Sequence, residues 1–234
     1  LRLRFTGERR AMTDSVLSWS GIRDPISGRD FGAVTRAGGR GQVEFSVGRA
    51  NVYAGGGYYA LEGQGVQDNN RIEAGAGIAF PIFRRPDEEL TTGLDLVYQS
   101  YERNLRFFTL GHGGYFSPQR YMAGNIPLDY RARVGDLAYR VGGSVGVAHF
   151  REDRAPYFPT DGAAQAALVA ATANSTTINA FYNGQSQTNV VGSLRGDVEY
   201  ALTPSLRIGA LVRYDRSADW NEGRGMLFAR YRLN

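Results

Sequence analysis

What most constrains this chain is a period of two in its charged residues, repeated from one end to the other. In the segment 190–202, Val190, Gly192, Leu194, Gly196, Val198 and Tyr200 share one face, while Ser193, Arg195, Asp197 and Glu199 share the other. In 206–215, Leu206, Ile208, Ala210, Val212 and Tyr214 oppose Arg207, Gly209, Arg213 and Asp215. In 226–233, Leu227, Ala229, Tyr231 and Leu233 oppose Arg230 and Arg232. Successive side chains of a strand point to opposite faces, so each segment is a strand with one wet face and one dry face. Earlier stretches repeat this: Leu1, Leu3 and Phe5 against Arg2 and Arg4; Val43, Phe45 and Val47 against Gln42, Glu44 and Ser46; Leu94, Leu96 and Tyr98 against Asp95 and Gln99; Ile126, Leu128 and Tyr130 against Asp129, Arg131 and Arg133. The segments 72–80 and 137–147 alternate as well. In 51–61 glycine and tyrosine fall on both faces, and the pattern is ambiguous. The count is about ten strands.

The connections alternate in length. Short ones lie near 48–50, 83–89, 135–136 and 203–205; long ones span 9–40, 62–69, 102–120, 151–188 and, less long, 218–222. Short turns at one end and long loops at the other are the pattern of an outer-membrane barrel. Tyr98, Tyr130, Tyr139, Tyr200, Tyr214 and Tyr231 end strands, as aromatic girdles do. The expected fold is all-β, an antiparallel transmembrane β-barrel forming a single domain over 1–234. On this reading Asp95, Arg131, Arg133, Arg140, Arg195, Asp197, Glu199, Arg213 and Arg230 line the lumen; the alternative is a purely structural ion ladder. Pairing across the 203–205 hairpin sets Arg195 opposite Arg213, with Asp197 diagonal to it. A soluble β-sandwich also alternates, but rarely with such regular loop asymmetry.

Composition narrows the classes. No run of about 18 apolar residues exists, so no transmembrane helix is encoded, whereas a barrel strand needs only about 9–11 alternating residues. The net charge is +4, and its arginines are interspersed with apolar residues, which excludes a nucleic-acid patch. The absence of cysteine fits a periplasmic or outer-membrane location. The opening Leu1-Arg-Leu-Arg-Phe5 reads as the middle of a strand, without initiator methionine or signal peptide, so a mature or processed piece is expected.

Two loops stand apart. The stretch 104–121 is rich in glycine and aromatics and has no period. Its Gly111-His112-Gly113-Gly114-Tyr115 invites comparison with the oxyanion glycine loop of a hydrolase, but no serine elbow accompanies it, and a folded loop lining a pore is the preferred reading. His112 and His149 are the only histidines, too few for a histidine metal site, and no cofactor is expected. Asp24 to Gly28 with Asp30 reads as a turn rather than a calcium loop. In 151–188 the alanine run 162–173 predicts a helix of three turns, a lid over the pore or a mobile tip.

The segment 108–121, Phe-Thr-Leu-Gly-His-Gly-Gly-Tyr-Phe-Ser-Pro-Gln-Arg-Tyr, resembles the signature of the C-terminal domain of cellulose synthase operon protein C. So do 10–28, followed by Phe31-Gly-Ala-Val34, and 98–109, and the match runs in order over nearly the whole chain. The resemblance implies an outer-membrane porin that lets nascent cellulose out, a barrel of about sixteen strands behind a periplasmic repeat scaffold. It implies a β-glucan chain, outer-membrane lipid, that scaffold and an inner-membrane cellulose synthase complex as partners. The chain departs from the family in lacking helical repeats and in having fewer strands, so the first strands are expected on another piece. A passing glycan needs ring faces and polar groups that bind weakly. Tyr115, Phe116, Tyr121 and Trp19 are the predicted ring contacts, with loop packing as the alternative. The competing functions are an outer-membrane hydrolase, such as a deacylase or lipase, with a loop-borne site, and a soluble polysaccharide-binding sandwich.

Overall fold

The alternation becomes one continuous antiparallel sheet. The computed structural model describes residues 1–172, 177–217 and 221–233. In chain order the elements are β1 (Arg2–Ala11), α1 (Val16–Ser20), β2 (Ile22–Arg23), β3 (Asp30–Val47), β4 (Ala50–Gln64), β5 (Asn69–Arg84), β6 (Glu88–Tyr101), β7 (Arg120–Val134), β8 (Leu137–Glu152), β9 (Ala155–Pro156), α2 (Gly162–Thr172), β10 (Phe181–Tyr182), β11 (Gln185–Ala201), β12 (Leu206–Arg216) and β13 (Asn221–Tyr231). The sheet runs β1-β3-β4-β5-β6-β7-β8-β11-β12-β13, with β2 attached to β3; β9 and β10 form a separate ribbon. Sequence neighbours pair because two-residue hairpins such as Val47↔Ala50 and Val134↔Leu137 close them.

The all-β antiparallel expectation and the count of about ten long strands hold. Among the described residues β1 and β13 pair on one side only, so the sheet is compatible with a β-barrel but is not closed. No second sheet covers the dry face among those residues, as a sandwich would require. Leu3, Phe5, Leu96, Ile126, Val145, Leu194 and Leu227 are exposed there. The wet face is concave: one cavity is lined both by Asp14 and Ser15, just after β1, and by Glu222 and Arg224 of β13 at the far edge.

The loop boundaries differ from expectation. Half of the stretch 9–40 is strand, and the connection between β1 and β3 is 12–29. Glycines 38, 39 and 41 hide the alternation there, and backbone pairing to both neighbours carries the strand instead. The expected loop 62–69 is a turn over 65–68, and 151–188 shrinks to 153–184 because Gln185 to Asn189 pair with β8. The alanine helix forms at Gly162–Thr172; Ala173 and residues 218–220 lie outside the described residues.

The hydrophobic core is not between layers of sheet. Met12, Val34, Leu61, Val66, Tyr101, Leu105 and Tyr115 form one buried cluster, and Leu17, Phe31 and Leu110 a second. Most of these come from the connections 12–29, 65–68 and 102–119 or the strand ends beside them, so the core sits at the long-loop end.

Candidate functional site

The two odd loops fold as one body. Ser15 caps α1: its hydroxyl accepts from the Ser18 N–H at 3.1 Å, and the Ser18 hydroxyl accepts from the Ser15 N–H at 2.9 Å. The capped helix turns Leu17 into the core. Gly32 adopts φ +109°, and a Cβ there would stand 2.3 Å from the Leu17 carbonyl oxygen. Gly114, at φ +66°, lies as closely against Ser15, whose Oγ would be 2.8 Å from an added Cβ. Only glycine fits these two contacts. The N–H groups of Gly113 and Gly114 both donate to the Leu105 carbonyl at 3.0 Å, and the Phe116 N–H donates to the Asp14 carboxylate at 3.3 Å. Burial raises the Asp14 pKa above the ordinary carboxylate value, against the lowering effect of the Phe116 hydrogen bond, Arg36 and Arg71.

His112 ties this body to 153–184. Its Nε2 lies 2.8 Å from the Pro156 carbonyl oxygen and therefore carries the proton that it donates. The ring meets Phe107 and Tyr182 edge-on at 5.3 and 5.6 Å, and those two stack on each other at 3.6 Å. Burial pushes the imidazole down to about 4, so it is neutral at neutral pH. Its one hydrogen bond goes to a backbone carbonyl, not to a hydroxyl. Nearby, buried Glu152 accepts from Arg106 at 2.6 Å, and the Asn104 amide donates to the Asp153 carbonyl at 2.9 Å.

Beside this plug the concave face stays open along β7, β8, β11, β12 and β13. A cavity of about 870 Å³ at the loop end is lined by Phe108, Phe116, Tyr121, Arg106, Glu222 and Arg224. Tyr121, Glu222 and Arg224 also line a second, of about 420 Å³, with Asp95, Asn125, Ser144, Ser193 and Arg213. A third, of about 700 Å³ at the turn end, is lined by Arg131, Arg133, Arg140, Asp197, Glu199 and Arg230. The predicted wet-face charges thus share one face.

They are paired in a particular way. Arg140 meets Asp129 at 2.6 Å, Arg230 meets Glu199 at 3.2 Å, and Arg131 pairs with Glu89. The carboxylates are recessed and the guanidiniums project: Glu89 is 7% exposed beside Arg131 at 64%, and Glu199 18% beside Arg230 at 68%. Arg195 does face Arg213 across the hairpin. Each arginine, however, takes its carboxylate from its own strand, Asp197 and Asp215 respectively, both at 2.6 Å. Residues two apart share a face, so the nearest counter-ion needs no partner strand.

The four predicted rings separate. Phe116 and Tyr121 meet edge-on at 6.3 Å, Phe116 also contacts Phe150 at 5.2 Å, and both line the loop-end cavity. Tyr115 is buried, 6.0 Å from Tyr101, with its hydroxyl accepting from Asn69 at 3.1 Å. It borders the loop-end cavity but is only 1% exposed, so it is packing rather than an open ring face. Trp19 is exposed on α1 and lines none of the three cavities. Gly111, His112, Gly113 and Gly114 are all buried in the plug. Sequence reasoning missed Phe108, exposed at the mouth, and Asn125, which strand parity would have found; Ser144 and Ser193 fall on the wet face by the same parity but were not among the predicted lumen residues.

With this geometry in place, similarity to known proteins is decisive. The family model for the cellulose synthase operon protein C C-terminus matches residues 1–234. The chain belongs to this family. It is 38% identical to the cellulose synthase 2 operon protein C of Komagataeibacter xylinus, over 100% of the chain and 18% of that protein. It is 34% identical to cellulose synthase operon protein C of Pseudomonas fluorescens, over 95% of the chain and 17% of the relative. The Salmonella typhimurium protein of the same name is 27% identical over 97% of the chain. The chain spans about a fifth of the length of the curated relatives it matches. The stretches that carry the resemblance to this family, 10–28 with 31–34, 98–109 and 108–121, meet at the plug.

Proposed function

We propose that this domain is wall and exit of an outer-membrane conduit through which a nascent β-glucan leaves the cell. One observation carries the reading: the concave face holds the ion pairs and open cavities, while the convex face exposes large apolar side chains. A sheet of that kind is stable with lipid outside and water inside. Tyr98, Tyr200, Tyr214 and Tyr231, exposed on the convex face, serve as girdle residues. The names of the relatives supply the cellulose link. Periplasmic repeats and an inner-membrane synthase are the partners that would feed the chain in. The domain performs no chemistry on the polymer; conduction is passive.

The lumen suits a neutral polymer. Asn125, Ser144 and Ser193 offer hydroxyl-scale hydrogen bonds, and Phe116, Tyr121 and Phe108 offer ring faces at the mouth. None is arranged to grip, which conduction requires. The test is a steric block on one face only. Ser193→Trp in the full-length protein lowers cellulose secretion several-fold at unchanged outer-membrane levels, whereas Val190→Trp on the convex face leaves secretion intact. Equal secretion from both overturns the reading. Tryptophan at Gly113 is a poor probe, because a Cβ there already lies 2.3 Å from the Tyr115 ring and unseats the plug.

A further inference from the structure

An unexplained charge pair stands on the convex face at the loop end of β7 and β8. Arg120 and Arg151 are direct cross-strand partners, and both are exposed. Like charges in that register destabilise a strand pair. They share strand parity with Met122 and Ile126 on β7 and with Val145 and Val147 on β8, so they lie on the dry face, not in the lumen. Arg151 meets one carboxylate, the half-exposed Asp153 at 2.9 Å. Among the described residues Arg120 has no ion-pair partner.

An apolar groove begins one row below. Tyr98, Met122 and His149 lie side by side across β6, β7 and β8, and the next row is Ala76, Leu96, Gly124 and Val147. The small Ala76 and Gly124 leave a shallow channel of about 470 Å³. The His149 ring, within hydrogen-bond distance of the Thr188 hydroxyl at 2.9 Å, sits at the step between groove and arginines.

We infer that this is a site for a phosphorylated lipid of the loop-side leaflet. It rests on the membrane reading of the convex face given above. The phosphate takes the two guanidinium forks and removes their mutual repulsion, while one acyl chain lies in the groove over Ala76 and Gly124. A water-borne anion would use the arginines and leave the groove without purpose. A neutral lipid would use the groove and leave the arginines opposed.

The experiment uses the full-length protein in detergent, with bis-phosphorylated lipid A and its dephosphorylated form as probes and native mass spectrometry as readout. The phosphorylated lipid is retained about tenfold better, and the Arg120→Gln/Arg151→Gln pair erases the difference. Gly124→Leu is accommodated, since an added Cβ makes only an ordinary 3.5 Å contact with Leu96, and it lowers retention of both lipids. Inorganic phosphate does not displace the lipid. Equal retention of the two lipids by a protein that still inserts into liposomes overturns the inference and leaves the membrane reading standing, as does displacement by inorganic phosphate. A protein that stays monodisperse without detergent overturns the membrane reading itself.

Discussion

The plug and the strand wall are stabilised by opposite means. The plug buries Leu17, Val34, Leu105 and Tyr115, accepts close backbone contacts at Gly32 and Gly114, and seals His112 away from water. The wall buries little that is apolar beyond the small cluster Ala123, Ala148 and Val191. Its strands are joined by ladder hydrogen bonds, its apolar side chains point away from the chain, and its charges pair on the concave side in solvent-facing ladders. A mutation that removes packing volume or adds a Cβ therefore acts on the plug, and a mutation of charge acts weakly on the wall.

The largest effect tests the interlock. Gly32→Val forces a β-branched residue to a positive φ and into the Leu17 carbonyl, at a cost of about 3–5 kcal/mol to the plug. Hydrogen exchange of 105–117 should accelerate sharply while β11 and β12 keep their protection. Unchanged exchange would mean that the two loops do not depend on each other.

Next comes pH. The free imidazole titrates near 6.5 and the docked His112 near 4, so the undocked loop takes up the proton first. Docking is full above about pH 6.5, weakens by about 3 kcal/mol as pH falls toward 4, and is level below that. Asp14 has the opposite sign: its raised pKa favours the docked loop when protonated, which offsets part of the loss at the acid end. Exchange of residues 107–113 measured from pH 7.5 to 4.5 shows the trend, and His112→Phe removes most of it.

Smaller again is the ladder. Glu199→Gln leaves Arg207 and Arg230 without their shared carboxylate and costs about 1 kcal/mol, because the Arg207 side chain is partly exposed and that of Arg230 largely so. A thermal shift read in low and high salt should shrink with salt. At the bottom of the scale, Gly225→Ala meets nothing within 4 Å and changes stability by less than about 0.5 kcal/mol. A larger loss there would show that β13 is packed more tightly than the wall is described.

The same contrast explains what was legible from sequence. The wall was readable because each strand writes its environment in a period of two, and Arg195, Asp197 and Arg213 announced their face directly. The plug was not. Its contacts join residues some hundred positions apart, Asp14 with Phe116 and Leu17 with Gly114, and no local period encodes them. Tyr115 looked like an open ring because aromatic residues in glycine loops carry no mark of burial; it and Phe116 both border the cavity, but Tyr115 is buried and Phe116 is half-buried. The strand over 35–41 was hidden for a third reason, since glycine has no side chain to alternate.

The central claim, water on the concave face and lipid on the convex one, is open to direct measurement because the chain has no cysteine. Single cysteines at Ser193 and at its sequence neighbour Leu194 would be introduced into the full-length protein, freed of any other thiol, and probed in intact outer membranes. A charged, water-soluble thiol reagent should label Ser193→Cys rapidly and Leu194→Cys hardly at all, with a glucan stalled in transit protecting the first. Equal labelling of both positions, or fast labelling of Leu194→Cys alone, would contradict the account.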